Sequence, residues 1–180
     1  MRPQGIPYSV SEVKVKGRAA NQDQVRTWIN LHQAARVIQT KIEEGLRART
    51  DLSWPEFELL MRIQVSSSRQ LQMSEIAAQL VGSPSGTTRI ADRLEKDGLI
   101  VRETPRENRR IVRVQLTDRG RTVLAEATEA FRLILQETFG DHLTESAVSE
   151  LRGSLRTLLE KNGAWQEARC EPGLATPKAS

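Results

Sequence analysis

Between Gln22 and Arg49 the apolar residues Trp28, Leu31, Ala35, Ile38, Ile42 and Leu46 recur at spacings of three and four. That period puts them on one stripe of a long helix. Ser53-Trp54-Pro55-Glu56 follows as a capping box, with Ser53 as N-cap and Glu56 at the third helical position. It predicts a helix to about Val65 with Phe57, Leu60 and Met61 inward. Ser66-Ser67-Ser68 reads as a loop. Ser74 to Val81 reads as a short helix with Ile76, Ala77 and Leu80 on its apolar side.

The next segment, Ser83 to Gly120, changes period twice. Ser83 is a suitable N-cap, and Pro84 sits where a first helical residue tolerates the missing N–H. Thr87, Ile90, Ala91 and Leu94 share one arc, and Gly98 stands where a helix is expected to end. Leu99–Glu103 and Ile111–Leu116 then read as two paired strands around an arginine-rich tip, TPRENRR. Thr117 caps a second long helix to about Thr138, with the stripe Val123, Ala127, Phe131, Ile134 and Thr138, widened by Leu124 and Leu135. Gly140 stops it. Thr144 caps a last helix with Val148, Leu151, Leu155, Leu158 and Leu159 apolar.

The pattern is mainly α with a small β-hairpin: a winged helix-turn-helix at 53–116, flanked by helices at 22–52 and 117–161. Residues 1–21 have little apolar periodicity and read as a flexible basic arm, and 162–180 as a flexible tail. The flanking helices carry apolar stripes that a small module cannot wholly cover. They either complete a monomer core or form the interface of a homodimer.

Charge sharpens this picture. The net charge of +4 and pI of about 9.6 suit an anionic partner. From Leu99 to Arg121 there are seven arginines against three acids, so the positive charge gathers on the predicted hairpin. A helix sized for a groove, followed by a basic hairpin, is a DNA-reading device rather than an enzyme site. No paired-carboxylate motif, nucleophile elbow or phosphate loop argues for catalysis. Cys170 is the only cysteine, and His32 and His142 are the only histidines, so no metal set is expected and no cofactor. Neither a signal peptide nor an apolar run long enough to span a bilayer is present, which predicts a cytoplasmic protein without a membrane partner.

On the predicted recognition helix, Ser85, Gly86, Thr88, Arg89 and Asp92 lie opposite the apolar arc. Ser85 and Thr88 suit thymine methyls, base edges or phosphates, and Arg89 suits a guanine edge or a phosphate. Gly86 lets backbone approach DNA closely. Arg93 is expected to pair with Asp97 one turn on instead. At the hairpin tip Arg106 is a candidate phosphate contact, and Arg109 or Arg110 enters the minor groove, depending on strand register.

Thr88, Arg89, Asp92, Arg93, Leu94, Glu95, Gly98, Leu99, Ile100 and Arg102, then Arg109, Arg110, Leu116, Thr117 and Gly120, resemble the recognition helix and wing of the MarR family of multiple antibiotic resistance regulators. Met73–Leu80 resembles the first helix of that family's helix-turn-helix, and the likeness spans roughly residues 28–159. Asn108 departs from the family pattern, which has Asp before the paired arginines. The resemblance implies an intertwined homodimer built from the N- and C-terminal helices. It implies a transcription regulator that binds a pseudo-palindromic double-stranded operator, as a repressor released by a ligand. It favours Arg109 as the groove arginine. The family's small anionic aromatic or phenolic effectors imply a ligand site at Trp28, His32, Glu58, Met61 and Arg62. Trp28, Glu58, Arg89 and Arg102 also resemble the tryptophan, acid and two arginines of the urate-responsive subgroup, with Glu in place of Asp. The alternative is a winged-helix protein-interaction module without operator binding, which a salt-dependent gel shift separates from the regulator.

Overall fold

The computed structural model describes residues 17–80, 84–105 and 111–165. Its elements run α1 (Gln22–Thr50), α2 (Trp54–Val65), β1 (Gln70–Gln72), α3 (Met73–Gln79), α4 (Pro84–Lys96), β2 (Ile100–Glu103), β3 (Arg113–Leu116), α5 (Asp118–Thr138), a 3₁₀ turn (Gly140–His142) and α6 (Glu145–Lys161). The chain divides into two units between Arg36 and Val37.

In the first unit, the start of α1 is held by a reciprocal cap. The Gln24 N–H donates to Asn21 Oδ1 at 2.8 Å, and the Asn21 N–H donates to Gln24 Oε1 at 2.9 Å. These bonds satisfy two backbone donors, one of them an orphan of the first turn. Val25, Trp28 and Ile29 are exposed here.

The second unit holds the core. Ile42 and Leu46 of α1 are buried with Phe57, Leu59, Leu60 and Ile63 of α2, Ile76 of α3, Ala91 and Leu94 of α4, Ile100 and Val114 of the sheet, and Leu124 and Ala127 of α5. Each large aliphatic side chain buried this way contributes about 1.5–3 kcal/mol. The aromatic part is small: Trp54, Phe57 and Phe131 meet with ring centroids 5.4–5.7 Å apart.

The caps expected from sequence form, with one difference. Glu56 accepts from the Ser53 N–H at 2.7 Å as a capping box requires, and the Ser53 hydroxyl also donates to Glu56, at 2.6 Å. Thr117 Oγ1 accepts from Gly120 N at 2.9 Å, and Thr144 Oγ1 from Ala147 N at 3.2 Å. The expected cap Ser83 lies outside the described residues.

Four expectations are corrected. The wing is part of a three-stranded antiparallel sheet in the order β1-β3-β2, whereas the sequence predicted only two strands. β1 is Gln-Leu-Gln, too short and too polar to announce itself; its Leu71 stands opposite Val114. β3 begins at Arg113 rather than Ile111. α2 buries Leu59 and Ile63 as well as its predicted stripe, because α3, α4, α5 and the sheet all pack on it. On α5 the fully buried positions are Gly120, Leu124, Ala127 and Ala130, with Val123, Phe131, Ile134 and Leu135 only half-buried. α6, whose stripe was expected either to complete a monomer core or to form a dimer interface, buries none of its residues in the single chain.

Candidate nucleic-acid interface

The recognition helix α4 divides cleanly by face. Thr87, Ala91 and Leu94 are buried and Ile90 half-buried, whereas Ser85, Thr88, Arg89 and Asp92 are exposed. Gly86 is half-buried at the edge between the faces. The sequence-derived arcs are therefore the arcs of the molecule. Arg89 has no ion-pair partner among the described residues, so its guanidinium is available to a base edge or a phosphate.

The end of α4 is set by backbone chemistry. Gly98 takes φ +70°, Leu99 N donates to Leu94 O at 2.9 Å, and Gly98 N donates to Glu95 O at 3.0 Å. This is a Schellman motif, and the buried Leu94 and Leu99 supply its apolar contact. The chain leaves directly into β2. Thr117 Oγ1 donates to Gly98 O at 2.8 Å, tying the start of α5 to the same turn. A Cβ on Gly120 would lie 1.9 Å from Leu99 O, so the close approach of α5 to β2 requires glycine there.

Two arginines anchor α4 on its flanks. Arg93 pairs with Asp97 at 3.6 Å as the sequence predicted, and also with Glu56 at 3.1 Å and Asp51 at 3.8 Å. Arg102, from β2, bonds Asp92 at 2.7 Å and pairs with Glu95 at 3.6 Å. Its Nη2 donates to Thr88 O at 3.4 Å, and its backbone N–H donates to Glu95 Oε1 at 3.2 Å. The sequence reading did not assign these partners. Strand parity carries a signal: Arg102 pairs with Val114, two positions from Ile100 opposite Leu116, so all four share the inner face of the sheet.

At the base of the wing, Glu103 stands opposite Arg113, and Gln115 Nε2 donates to Glu103 Oε1 at 2.9 Å. Arg113 is exposed. The tip arginines Arg106, Arg109 and Arg110 lie outside the described residues.

The residues proposed for a ligand fall into two sets. In the first unit, Trp28 is 65% exposed and stacks on His32 at 6.0 Å between ring centroids. In the second, Glu58 and Arg62 form an ion pair at 3.1 Å within α2, and Met61 and Arg62 are buried. A cavity of about 410 Å³ opens between Asp51, Glu56, Arg93, Lys96 and Arg119, and another of about 640 Å³ between Arg132, Leu135, Phe139, Leu143 and Val148. Neither is lined by Glu58, Met61 or Arg62. Among the described residues no group of three His, Cys, Asp or Glu is placed to hold a metal ion, and no helix is long and apolar enough to cross a membrane.

Comparison with known proteins identifies this arrangement. The family model described as MarR family matches residues 52–112. The transcriptional repressor MprA of Escherichia coli is 30% identical over 105 residues, 58% of either chain. At 30% identity or more, the chain spans 55–64% of the length of the curated relatives it matches. AbsC, a MarR family transcriptional regulator from Streptomyces coelicolor, superposes with a TM-score of 0.75 at 21% identity, over 83% of this chain and 100% of its own. Sco3205, a MarR family transcriptional regulator from the same organism solved in complex with DNA, superposes with a TM-score of 0.73 at 23% identity, over 80% of this chain and 94% of its own. The MarR family model therefore matches the winged helix-turn-helix lobe in which these motif residues are seated.

Proposed function

We propose that the protein is a homodimeric, sequence-specific DNA-binding transcription regulator, a repressor released by a small anionic aromatic ligand. The observation that carries this reading is the division of α4. One face is fixed in the lobe core, and the other presents Ser85, Thr88 and an Arg89 that has no ion-pair partner among the described residues, beside a wing. Such a helix supplies base-edge contacts in a major groove, and the wing supplies backbone and minor-groove contacts. The family relation to a named repressor and to a regulator solved with DNA supports the same reading.

The homodimer rests on apolar surface. Val25, Trp28, Ile29, Leu133, Leu143 and Leu158 are exposed, and a second copy is the partner that covers them in a symmetric assembly. A twofold axis then sets two recognition helices about one DNA turn apart, roughly 34–36 Å. Paired sites at that spacing make a pseudo-palindromic operator. For the effector, the exposed Trp28–His32 stack supplies an aromatic face of the kind such ligands use. A regulator of this kind acts in the cytoplasm, where the operator is.

The test is in vitro selection of double-stranded DNA by the purified chain, followed by titration of the selected site at increasing salt. A palindromic site is expected. With about 6–10 phosphate contacts per dimer, affinity falls by roughly 10³–10⁵ between 50 and 200 mM salt. A flat salt response, or no enrichment, replaces this reading with a protein-interaction module.

A further inference from the structure

The acids of the recognition helix pose a problem that Arg102 solves. Asp92 lies on the exposed side of α4, next to Arg89, and Glu95 follows one turn on. A carboxylate on a groove-facing helix repels DNA phosphates and, if mobile, competes for the arginines that bind them. Thr88, Asp92 and Glu95 form one line along the helix, at spacings of four and three. Arg102 reaches this line from β2 and touches all three: Asp92 at 2.7 Å, Glu95 at 3.6 Å and the Thr88 carbonyl at 3.4 Å. Its backbone N–H adds a bond to Glu95, which also occupies a donor on the outer strand of the sheet. The Arg102 side chain is 21% exposed against 58% for Asp92, so the guanidinium is the sheltered partner.

We propose that Arg102 is a positioning residue for DNA reading: from the wing it draws Asp92 and Glu95 toward the sheet and fixes the rotation of α4 about its own axis. That rotation decides which of Ser85, Thr88 and Arg89 faces the bases. The bonds join a strand of the wing to three consecutive turns of the helix, so reading helix and wing move as one body. This inference rests on the DNA-binding reading and names a residue on which that reading depends without its touching a base.

The experiment is a double-mutant cycle on the full chain, with Arg102→Gln, Asp92→Asn and the two combined. Each protein is titrated against the selected operator and against unrelated DNA at two salt concentrations. Arg102→Gln should weaken operator binding at least about tenfold, because it leaves two carboxylates without their counter-ion beside the phosphates. Asp92→Asn alone should weaken it by a smaller factor, because it releases the 2.7 Å bond but leaves Arg102 on Glu95 and the Thr88 carbonyl. The combination should lose no more on the operator than Arg102→Gln alone and leave unrelated DNA unchanged, since both substitutions release the same clamp. Arg102→Lys keeps the charge but not the planar fork, and should fall between wild type and Arg102→Gln. Thermal unfolding followed by circular dichroism establishes that each variant is folded. Should Arg102→Gln not fold, Arg102→Lys with and without Asp92→Asn completes the cycle.

Equal losses in Arg102→Gln and in the combination, on operator and unrelated DNA alike, with a shallower salt slope, would make Arg102 a phosphate contact and overturn the proposal. Wild-type affinity in all variants would overturn it too. If the wild type binds no DNA, the regulator reading fails instead. The coupling between Arg102 and Asp92 is then read from the unfolding temperatures of the same four proteins, and additive temperatures would show that no clamp exists.

Discussion

Helices α4 and α6 are both amphipathic, yet they are treated in opposite ways. α4 spans 13 residues and buries Thr87, Ala91 and Leu94 in the lobe. α6 spans 17 residues with five apolar positions, Val148, Leu151, Leu155, Leu158 and Leu159, and buries none of them fully. An apolar stripe says that a helix needs a partner; it does not say whether the partner lies in the same chain. For α4 the partners are α2, α3 and β2. For α6 the unfilled side is where a second copy is proposed to sit. Each large aliphatic side chain left in water forgoes about 1.5–3 kcal/mol that the partner restores.

The sharpest way to break this contrast is to damage each side separately. Phe57→Ala removes a fully buried ring from the lobe core and should cost about 3–5 kcal/mol, read as a lower denaturant midpoint. A midpoint unchanged by that substitution would mean the lobe core is wrongly drawn. Leu155→Asp should leave the lobe folded, because Leu155 is only half-buried in the single chain. In the dimer it places an unpaired charge in an apolar contact, at a cost of about 2 kcal/mol or more. Sedimentation should show a folded monomer, and a folded dimer would place the interface elsewhere. Thr117→Ala removes the cap on Gly120 and the bond to Gly98, and should cost about 0.5–2 kcal/mol. If its unfolding midpoint matches the wild type, the turn between α4 and β2 is held by something other than this hydroxyl. Smallest is Arg156→Ala on α6. The Arg156–Glu160 pair is 2.8 Å long with both side chains about half exposed, so its loss should be about 0.3–0.5 kcal/mol. A loss of several kcal/mol there would show that α6 is buried in a way the single chain does not reveal.

The same contrast explains what the sequence revealed. The arcs of α4, the caps at Ser53, Thr117 and Thr144, and the Gly98 terminus all depend on residues within a few positions of one another. Local chemistry decides them, and they could be read from the chain. β1 escaped because three residues with two glutamines have no measurable period, and its pairing with β3 is set by residues more than forty positions away. Arg93 shows the boundary. Its pair with Asp97 follows from helical spacing, but its bonds to Asp51 and Glu56 come from other elements. Arg102 was legible as a family residue and illegible as a clamp, because its partners are seven to fourteen positions upstream across a turn. Met61 and Arg62, which the resemblance assigns to a ligand site, are buried in α2, whose burial is set by the elements packed on it.

The central claim is that the exposed face of α4 reads bases. It is tested most directly by competition titration of wild type and Arg89→Ala against the selected operator and against the same operator with its central base pairs exchanged. The account predicts that Arg89→Ala loses about 1–3 kcal/mol on the selected operator and little on the exchanged one, so that discrimination between them shrinks. Equal losses on both DNAs would show that Arg89 grips phosphate, and would contradict its assignment as a reading residue.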